Sequence, residues 1–254
     1  MAAPQKRTLT VDQKNNLKAI FAEHDPKTDP TLYALNAVIE NWVETEVLIE
    51  RDAKAEIDKN LPKWTPENEE EYGEFCAERD QARMLHDQIM IPMHRYSCVV
   101  MLFTTIEREL QRLIENLEKE HGHQKLKLKD ISGGFLDKAT KYLEAFYGLR
   151  LADCPQYTAV HDLQKIRDCI IHCLGDVGLS QDKNYLVRLT KIRKGFWAYP
   201  NNDIKIEPEC IQKFLVEIWE FFVWVFQKLK WKIASYYQKN DLEKMFQKVN
   251  SSAC

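Results

Sequence analysis

The spacing of apolar and polar residues predicts helices along most of the chain. From Tyr96 to Glu118 apolar side chains recur every three or four residues, which is the period of a helix that buries one face. A break at residues 61–66 precedes a helix whose start is marked by Thr65 and Pro66. Pro92 is expected to kink or end that helix. The other predicted helices lie at residues 10–24, 32–42, 163–174 and 183–193 and from 207 onward.

A short segment near residues 195–207 has the pattern of strands instead. Gly195-Phe-Trp-Ala-Tyr199 and Ile204-Lys-Ile206 flank the turn-forming residues Pro200-Asn-Asn-Asp203, which predicts a β-hairpin. The chain is therefore expected to be all-α with one short β-hairpin. Residues 1–64 are predicted to form an N-terminal helical extension, and residues 65–254 the main helical domain. The aromatic residues of the last helix predict core or dimer-interface packing.

One predicted helix carries charged and apolar residues on separate faces. Its apolar stripe consists of Leu163, Ile166, Ile170 and Leu174. Arg167 and His172 lie ~140° apart around the helix axis, with Asp168 and Gln164 also turned away from most of the stripe. Arginine binds phosphate through a planar charged fork, and histidine transfers protons near neutral pH. The pattern fits phosphodiester chemistry, and it also fits a solvated surface or a structural network.

Glu107 is the candidate supporting residue from another helix. It lies beside Ile106, on the flank of the apolar stripe between Tyr96 and Glu118. Its carboxylate either pairs with Arg167 and orients it or is an exposed helix charge.

The segment Ile166-Arg-Asp-Cys-Ile-Ile-His172, which ends at Leu174-Gly175, resembles the Arg-polar-x3-His signature of HEPN domains. In that family the residue after the arginine is often Asn, whereas here it is Asp168. Residues 134–148 and 103–110 look like two further helices of the family, and the resemblance covers roughly residues 86–235. It implies a HEPN-like helical bundle, a symmetric homodimer with two facing motifs, and metal-independent ribonuclease activity without a cofactor.

Composition limits how RNA could bind. The net charge is −3, so any RNA contact must come from a local basic patch, either residues 125–129 or the cluster Arg188, Lys191, Arg193 and Lys194. Both patches are also consistent with ordinary solvated surface.

The cysteines and the N-terminus indicate the compartment. Seven scattered cysteines without a Cys-x-x-Cys pair, and an N-terminus without an apolar signal core, predict a cytoplasmic protein that does not bind membranes. Cys169, His172 and Cys173, with His161 nearby, are a poor metal site because three of them come from one helical turn. No metal site is predicted.

The expected function is a metal-independent endoribonuclease that cleaves RNA through its own 2′-hydroxyl. His172 would act as acid or base, Arg167 would bind phosphate, and Asp168, Glu107 and Gln164 would support them. The expected partners are RNA, a second copy of the chain, and a protein partner or inhibitor. The alternative is a non-catalytic helical module that binds RNA or protein.

Overall fold

Within the residues that the structure describes, the chain is helical apart from one two-stranded antiparallel hairpin and the connecting turns, as the sequence predicts. The computed structural model describes residues 30–49, 65–121 and 127–229. The helices are α1 (Pro30–Leu48), α2 (Glu69–Leu85), α3 (Ile91–His121), α4 (Phe135–Tyr147), α5 (Tyr157–Cys173), α6 (Lys183–Ile192) and α7 (Pro208–Lys228). The strands are β1 (Phe196–Ala198) and β2 (Ile204–Ile206). Short 3₁₀ turns lie at Pro66–Asn68, Leu128–Asp130 and Leu151–Asp153. The predicted helix at residues 10–24 lies outside the described residues.

Helix α3 is the central element of the fold. It packs against α1, α4, α5, α7 and β2. Its apolar stripe is buried as the spacing predicts, with Val99, Leu102, Phe103 and Ile106 in the core. Burial of a side chain of this size stabilises a fold by about 1.5–3 kcal/mol, so this stripe accounts for the position of α3 at the centre.

The sequence predicts that Pro92 kinks or ends the helix that contains it. The helix does not end there, but its hydrogen bonding departs from the regular α-helical pattern just before the proline. A π-helical stretch, His86–Met90, joins α2 directly to α3. The backbone N–H of Ile91 bonds to the carbonyl of His86, which is the wider π-helical spacing. The extra residue in this turn lets the chain continue past Pro92, which has no N–H to donate.

Helix α1 shares the core of the main domain. Leu35, Val38 and Trp42 are buried in the same cluster as α3. Glu46 of α1 is also buried, and its Oε1 accepts hydrogen bonds from Arg95 of α3 at 2.6 and 3.2 Å. The predicted boundary after residue 64 follows the undescribed segment 50–64 and stays a prediction.

The last helix buries its aromatic residues within a single chain. Phe214, Trp219, Phe221 and Phe222 are at most 1% exposed. The aromatic surface of α7 therefore does not by itself require a second subunit, because its own core already covers these rings. Trp231 lies outside the described residues.

One long helix has the dimensions of a membrane span. The continuous helix from Glu69 to Lys119 contains a window that is long and apolar enough to cross a membrane, and 39% of this window is buried within the protein. Core helices of water-soluble proteins pass the same test, so this is a weak indication. The expectation that no membrane is bound stays a prediction.

Candidate functional site

Helix α5 presents the predicted motif on the side turned away from the core. Leu163, Ile166 and Ile170 are buried, which turns Arg167 and Asp168 toward the surface. The sequence predicts that Leu174 continues this stripe. This prediction is wrong, because Leu174 is 85% exposed. The helix ends at Cys173, and Leu174 adopts a left-handed conformation with φ 52° that swings its side chain out of register.

The chain reversal after Leu174 is held by backbone hydrogen bonds. The N–H of Gly175 bonds to the carbonyl of Cys169 at 3.2 Å, which caps the end of α5. Gly175 has φ 90°, and a Cβ at this position would lie 2.5 Å from the hydroxyl of Tyr96. Glycine is therefore required for both its conformation and its contact with α3.

Arg167 is held between two carboxylates from different helices. Its Nη1 donates a hydrogen bond to Asp168 Oδ1 at 2.7 Å, and its Nη2 donates one to Glu107 Oε2 at 3.3 Å. The guanidinium also lies over the ring of Phe103, with 5.0 Å between Cζ and the ring centroid. Phe103 and Glu107 are one turn apart on α3, so together they form a seat for the arginine. Its side chain remains 25% exposed.

The surroundings of Glu107 change how easily this carboxylate is protonated. Burial raises the pKa of Glu107 above its ordinary value. The positive charge of Arg167 lowers it again, and the negative charge of Asp168 adds to the increase. The net direction is upward, so Glu107 takes up a proton at a higher pH than an exposed glutamate does.

His172 lies one turn beyond Asp168 on the same helix. The residue is exposed, and no hydrogen bond or ion pair connects it to any other residue in the described ranges. Asp168 and His172 are four residues apart and therefore share a face of α5. The imidazole is thus accessible to a ligand or to another subunit, whereas the arginine is already held in place.

Gln164 does not join this group. Its side-chain nitrogen lies against Gly134, at the N-terminal end of α4, 3.8 Å from the position that a Cβ there would occupy. No hydrogen bond connects Gln164 with Arg167 in the part of the chain that the structure describes. The structure brings Arg167, Asp168 and Glu107 into direct contact and leaves Gln164 one turn away.

The two basic patches proposed from the sequence are only partly surface features. Arg193 is buried and bonds to Asp162 and Glu217 at 2.8 Å each, so it cannot contribute to a surface patch. Arg188, Lys191 and Lys194 are exposed. Of the other patch, residues 125 and 126 lie outside the described residues.

The cysteines of α5 are free thiols. Burial, together with the neighbouring Cys173, raises the pKa of the Cys169 thiol to about 12, which keeps it neutral. Within residues 30–49, 65–121 and 127–229, no group of three or more His, Cys, Asp or Glu side chains is placed to hold a metal ion.

Phe103 belongs to this site, although the sequence identifies it only as one of the apolar residues that recur between Tyr96 and Glu118. Its position in the apolar stripe of α3 explains this, because helical spacing reports burial and does not report which neighbour covers a ring. The one available signal was its distance of four residues from Glu107.

Comparison of the chain with models of protein families, with curated proteins and with solved structures found no match. The fold and the site together define an all-α protein with one β-hairpin and an Arg-Asp-His surface on a single helix. Its function is therefore argued from these residues.

Proposed function

We propose that the protein is a metal-independent endoribonuclease of the HEPN type. The observation that carries this proposal is an arginine held by Glu107 and Asp168 on the same helix as an exposed histidine that has no partner among the described residues. Arg167 is positioned before any ligand binds, and positioned charge is what stabilises a reacting phosphate. Because RNA supplies its own nucleophile, a base, an acid and a charge stabiliser are sufficient for cleavage.

The reaction assigns one role to each side chain. His172 takes the proton from the 2′-hydroxyl, whose oxygen then forms a bond to the adjacent phosphorus. The bond from phosphorus to the 5′-oxygen breaks, and a second acid gives that oxygen a proton. Arg167 binds the non-bridging phosphate oxygens, while Asp168 and Glu107 hold its guanidinium. The products are a 2′,3′-cyclic phosphate and a free 5′-hydroxyl.

The need for two proton-transfer groups favours a homodimer. Among the described residues, His172 is the exposed imidazole on the helix that carries Arg167, and a facing copy would supply the second proton-transfer group. Ile171 is 50% exposed next to His172, and Leu174, directly after the end of α5, is 85% exposed. An interface that covers these apolar side chains would bring two motifs together and shield the reacting phosphate from water.

The same contacts also support the alternative, a non-catalytic module that binds RNA or protein. Arg167 faces two carboxylates, so this group has an excess of negative charge when His172 is neutral. A phosphate must compete with both carboxylates for the guanidinium. A binding protein with a structural ion pair would show the same geometry.

A cytoplasmic location fits the thiols. The six described cysteines are all free, which is the usual state in a reducing compartment. Neither an inhibitor nor a protein partner is needed for the chemistry, and either would act by covering the exposed face of α5.

One assay separates the two functions. Purified protein is incubated with mixed RNAs, with and without EDTA, and the product ends are identified by mass spectrometry. We expect cleavage that survives EDTA and leaves 2′,3′-cyclic phosphate or its hydrolysis product. If the folded protein cleaves no RNA under either condition, the result would favour the alternative, a non-catalytic module that binds RNA or protein.

A further inference from the structure

The β-hairpin exposes two aromatic rings on one face. Antiparallel pairing sets Phe196 opposite Ile206 and Trp197 opposite Lys205. Side chains alternate along a strand, so Phe196 and Ile206 enter the core while Trp197 and Lys205 project away from it. Trp197 is 45% exposed and Tyr199, two residues further along, is 46% exposed. Among the large apolar side chains that are exposed in the described residues, Trp197 and Tyr199 are the two aromatic ones.

Lys205 joins the two rings into one surface. Its ammonium lies 6.0 Å from the ring centroid of Trp197 and 5.9 Å from that of Tyr199. An ion pair of 2.7 Å with Glu207 holds the ammonium in this position. We call the surface formed by Trp197, Tyr199 and Lys205 the aromatic platform. Rings interleaved with a cation are the arrangement by which proteins bind unpaired nucleobases and the adjacent phosphates.

The charge around the aromatic platform favours a polyanion. The chain as a whole has a net charge of −3, yet residues 183–205 contain six lysines and arginines and a single acidic residue. Two carboxylates lie just beyond this range: Glu207 pairs with Lys205 at 2.7 Å, and Glu209 pairs with Lys194 at 3.0 Å. One of these, Arg193, is buried in ion pairs, but Lys183, Arg188, Lys191 and Lys194 are exposed. Helix α6, which carries most of these residues, packs directly against β1.

The aromatic platform is connected to the end of α5. The N–H of Ile204 bonds to the carbonyl of Gly175 at 2.9 Å, and the N–H of Val177 bonds to the carbonyl of Asn202 at 3.0 Å. His172 is three residues before Gly175, and Lys205 directly follows Ile204. The Cα atoms of His172 and Lys205 are therefore at most roughly 20 Å apart. A few nucleotides of single-stranded RNA can span that distance.

We propose that the aromatic platform binds unpaired bases of single-stranded RNA, one base stacked on each ring, and that the same strand continues from there to His172 and Arg167. This selects single-stranded RNA over duplex, because paired bases have no free face to stack. The assignment of this RNA as a substrate rests on the proposed ribonuclease function. The binding itself does not, since it requires only the rings and the surrounding cations.

The test measures binding of fluorescein-labelled 2′-O-methyl oligouridylate, which cannot be cleaved through its 2′-hydroxyl, by fluorescence anisotropy. We expect Trp197→Leu and Tyr199→Leu each to weaken binding roughly 5- to 100-fold, because leucine keeps apolar bulk but provides no ring to stack on. Trp197→Phe keeps a ring and should retain most of the affinity. Met84→Leu, at an exposed apolar position on α2, is the matched control and should bind like the wild type.

Four outcomes would overturn the proposal. They are absence of binding by the wild type, equal affinity for an RNA duplex, binding that is unchanged in both leucine variants, and a Trp197→Leu variant that changes oligomeric state instead of RNA affinity. The last result would identify the aromatic platform as a protein interface. If the leucine variants lose binding while the wild type never cleaves unmodified RNA, the proposal that the aromatic platform binds RNA is supported and the ribonuclease proposal fails. If RNA is cleaved but the leucine variants bind normally, only the platform proposal fails.

Discussion

The guanidinium of Arg167 donates a hydrogen bond to the carboxylate of Glu107 across 60 residues of sequence, with 3.3 Å between Nη2 and Oε2. This contact joins α5 to α3 at the edge of the core, where both side chains are about one quarter exposed. It fixes the arginine while leaving His172, one turn beyond Asp168, without a partner among the described residues. The helix therefore combines one positioned cation with one accessible imidazole.

Loss of either motif side chain should abolish most RNA cleavage. His172→Ala removes a proton-transfer group, which is worth about 10²- to 10⁴-fold in rate. Arg167→Ala should cost a similar factor, and Arg167→Lys should recover only part of it because the bidentate fork is lost. Rates are measured by gel with a labelled RNA, and Arg112→Ala, an exposed arginine on α3, is the control. Full activity in both alanine variants would show that the site is assigned wrongly.

Glu107 should act on RNA only through Arg167. Glu107→Gln keeps the size of the side chain but removes the charge, and an ion-paired hydrogen bond of this kind is worth about 1.5–3 kcal/mol. We expect kcat/KM to fall about 10- to 150-fold, which is the same free energy expressed as a rate. Adding the same change to Arg167→Ala should cause no further loss, because there is no guanidinium left to position. A further tenfold fall in the double variant would contradict this role.

Dimer formation should depend on the apolar residues beside His172. Leu174 is exposed in a left-handed conformation that asparagine adopts more readily than leucine. Leu174→Asn should therefore leave the melting temperature of the monomer unchanged or higher while weakening self-association in sedimentation. Met84→Asn on α2 provides the control at a distant exposed position. A wild type that stays monomeric at tens of micromolar would argue against both the dimer and a site shared between subunits.

The buried arginine of the α5–α6–α7 junction should contribute strongly to stability. Arg193 bonds to Asp162 and Glu217 and lies 4.0 Å from the ring centroid of Phe214. Arg193→Met leaves the buried carboxylate of Asp162 without a cation among the described residues, with only the hydrogen bond from Tyr185 at 2.6 Å remaining there. The change should lower the free energy of unfolding by about 3–5 kcal/mol in a urea titration. Lys194→Met, next in sequence but 71% exposed at its side chain, should change it by less than about 1 kcal/mol. Equal effects at the two positions would mean that the buried pair is not a major source of stability.

Acid should weaken the attachment of α1 through Glu46. Burial alone raises the pKa of Glu46, but hydrogen bonds and charges from His94 and Arg95 outweigh it, so the pKa lies below its ordinary value. A depressed pKa in the folded state means that the stabilisation is complete above the ordinary glutamate pKa and is lost as the pH falls through the folded value. Glu46→Gln should be less stable at neutral pH, with the difference narrowing below about pH 4.5. A difference that does not change with pH would rule out this ion pair as the cause.

Helical periodicity determined most of the fold because it depends only on neighbours along the chain. The buried stripe of α3, the Pro66 helix start and the hairpin at residues 195–207 all follow from local spacing and turn chemistry. The same reasoning placed Arg167, Asp168 and His172 on the outer face of α5. It was wrong at Leu174, which adopts a left-handed conformation, and it did not contain the π-helical turn before Pro92. Both features depend on backbone hydrogen bonds that no spacing rule contains.

Contacts between distant segments needed the tertiary structure. The sequence suggested that Glu107 could meet Arg167, but only the packing of α3 against α5 put Phe103 beneath the guanidinium. Burial of Arg193 and exposure of Trp197 likewise depend on which surface a neighbouring element covers. By itself, the sequence determined which residues share one face of an element, because that follows from the periods of helix and strand. The tertiary structure decided which of those faces meet, because packing between elements depends on side-chain shape and charge across segments far apart in the chain.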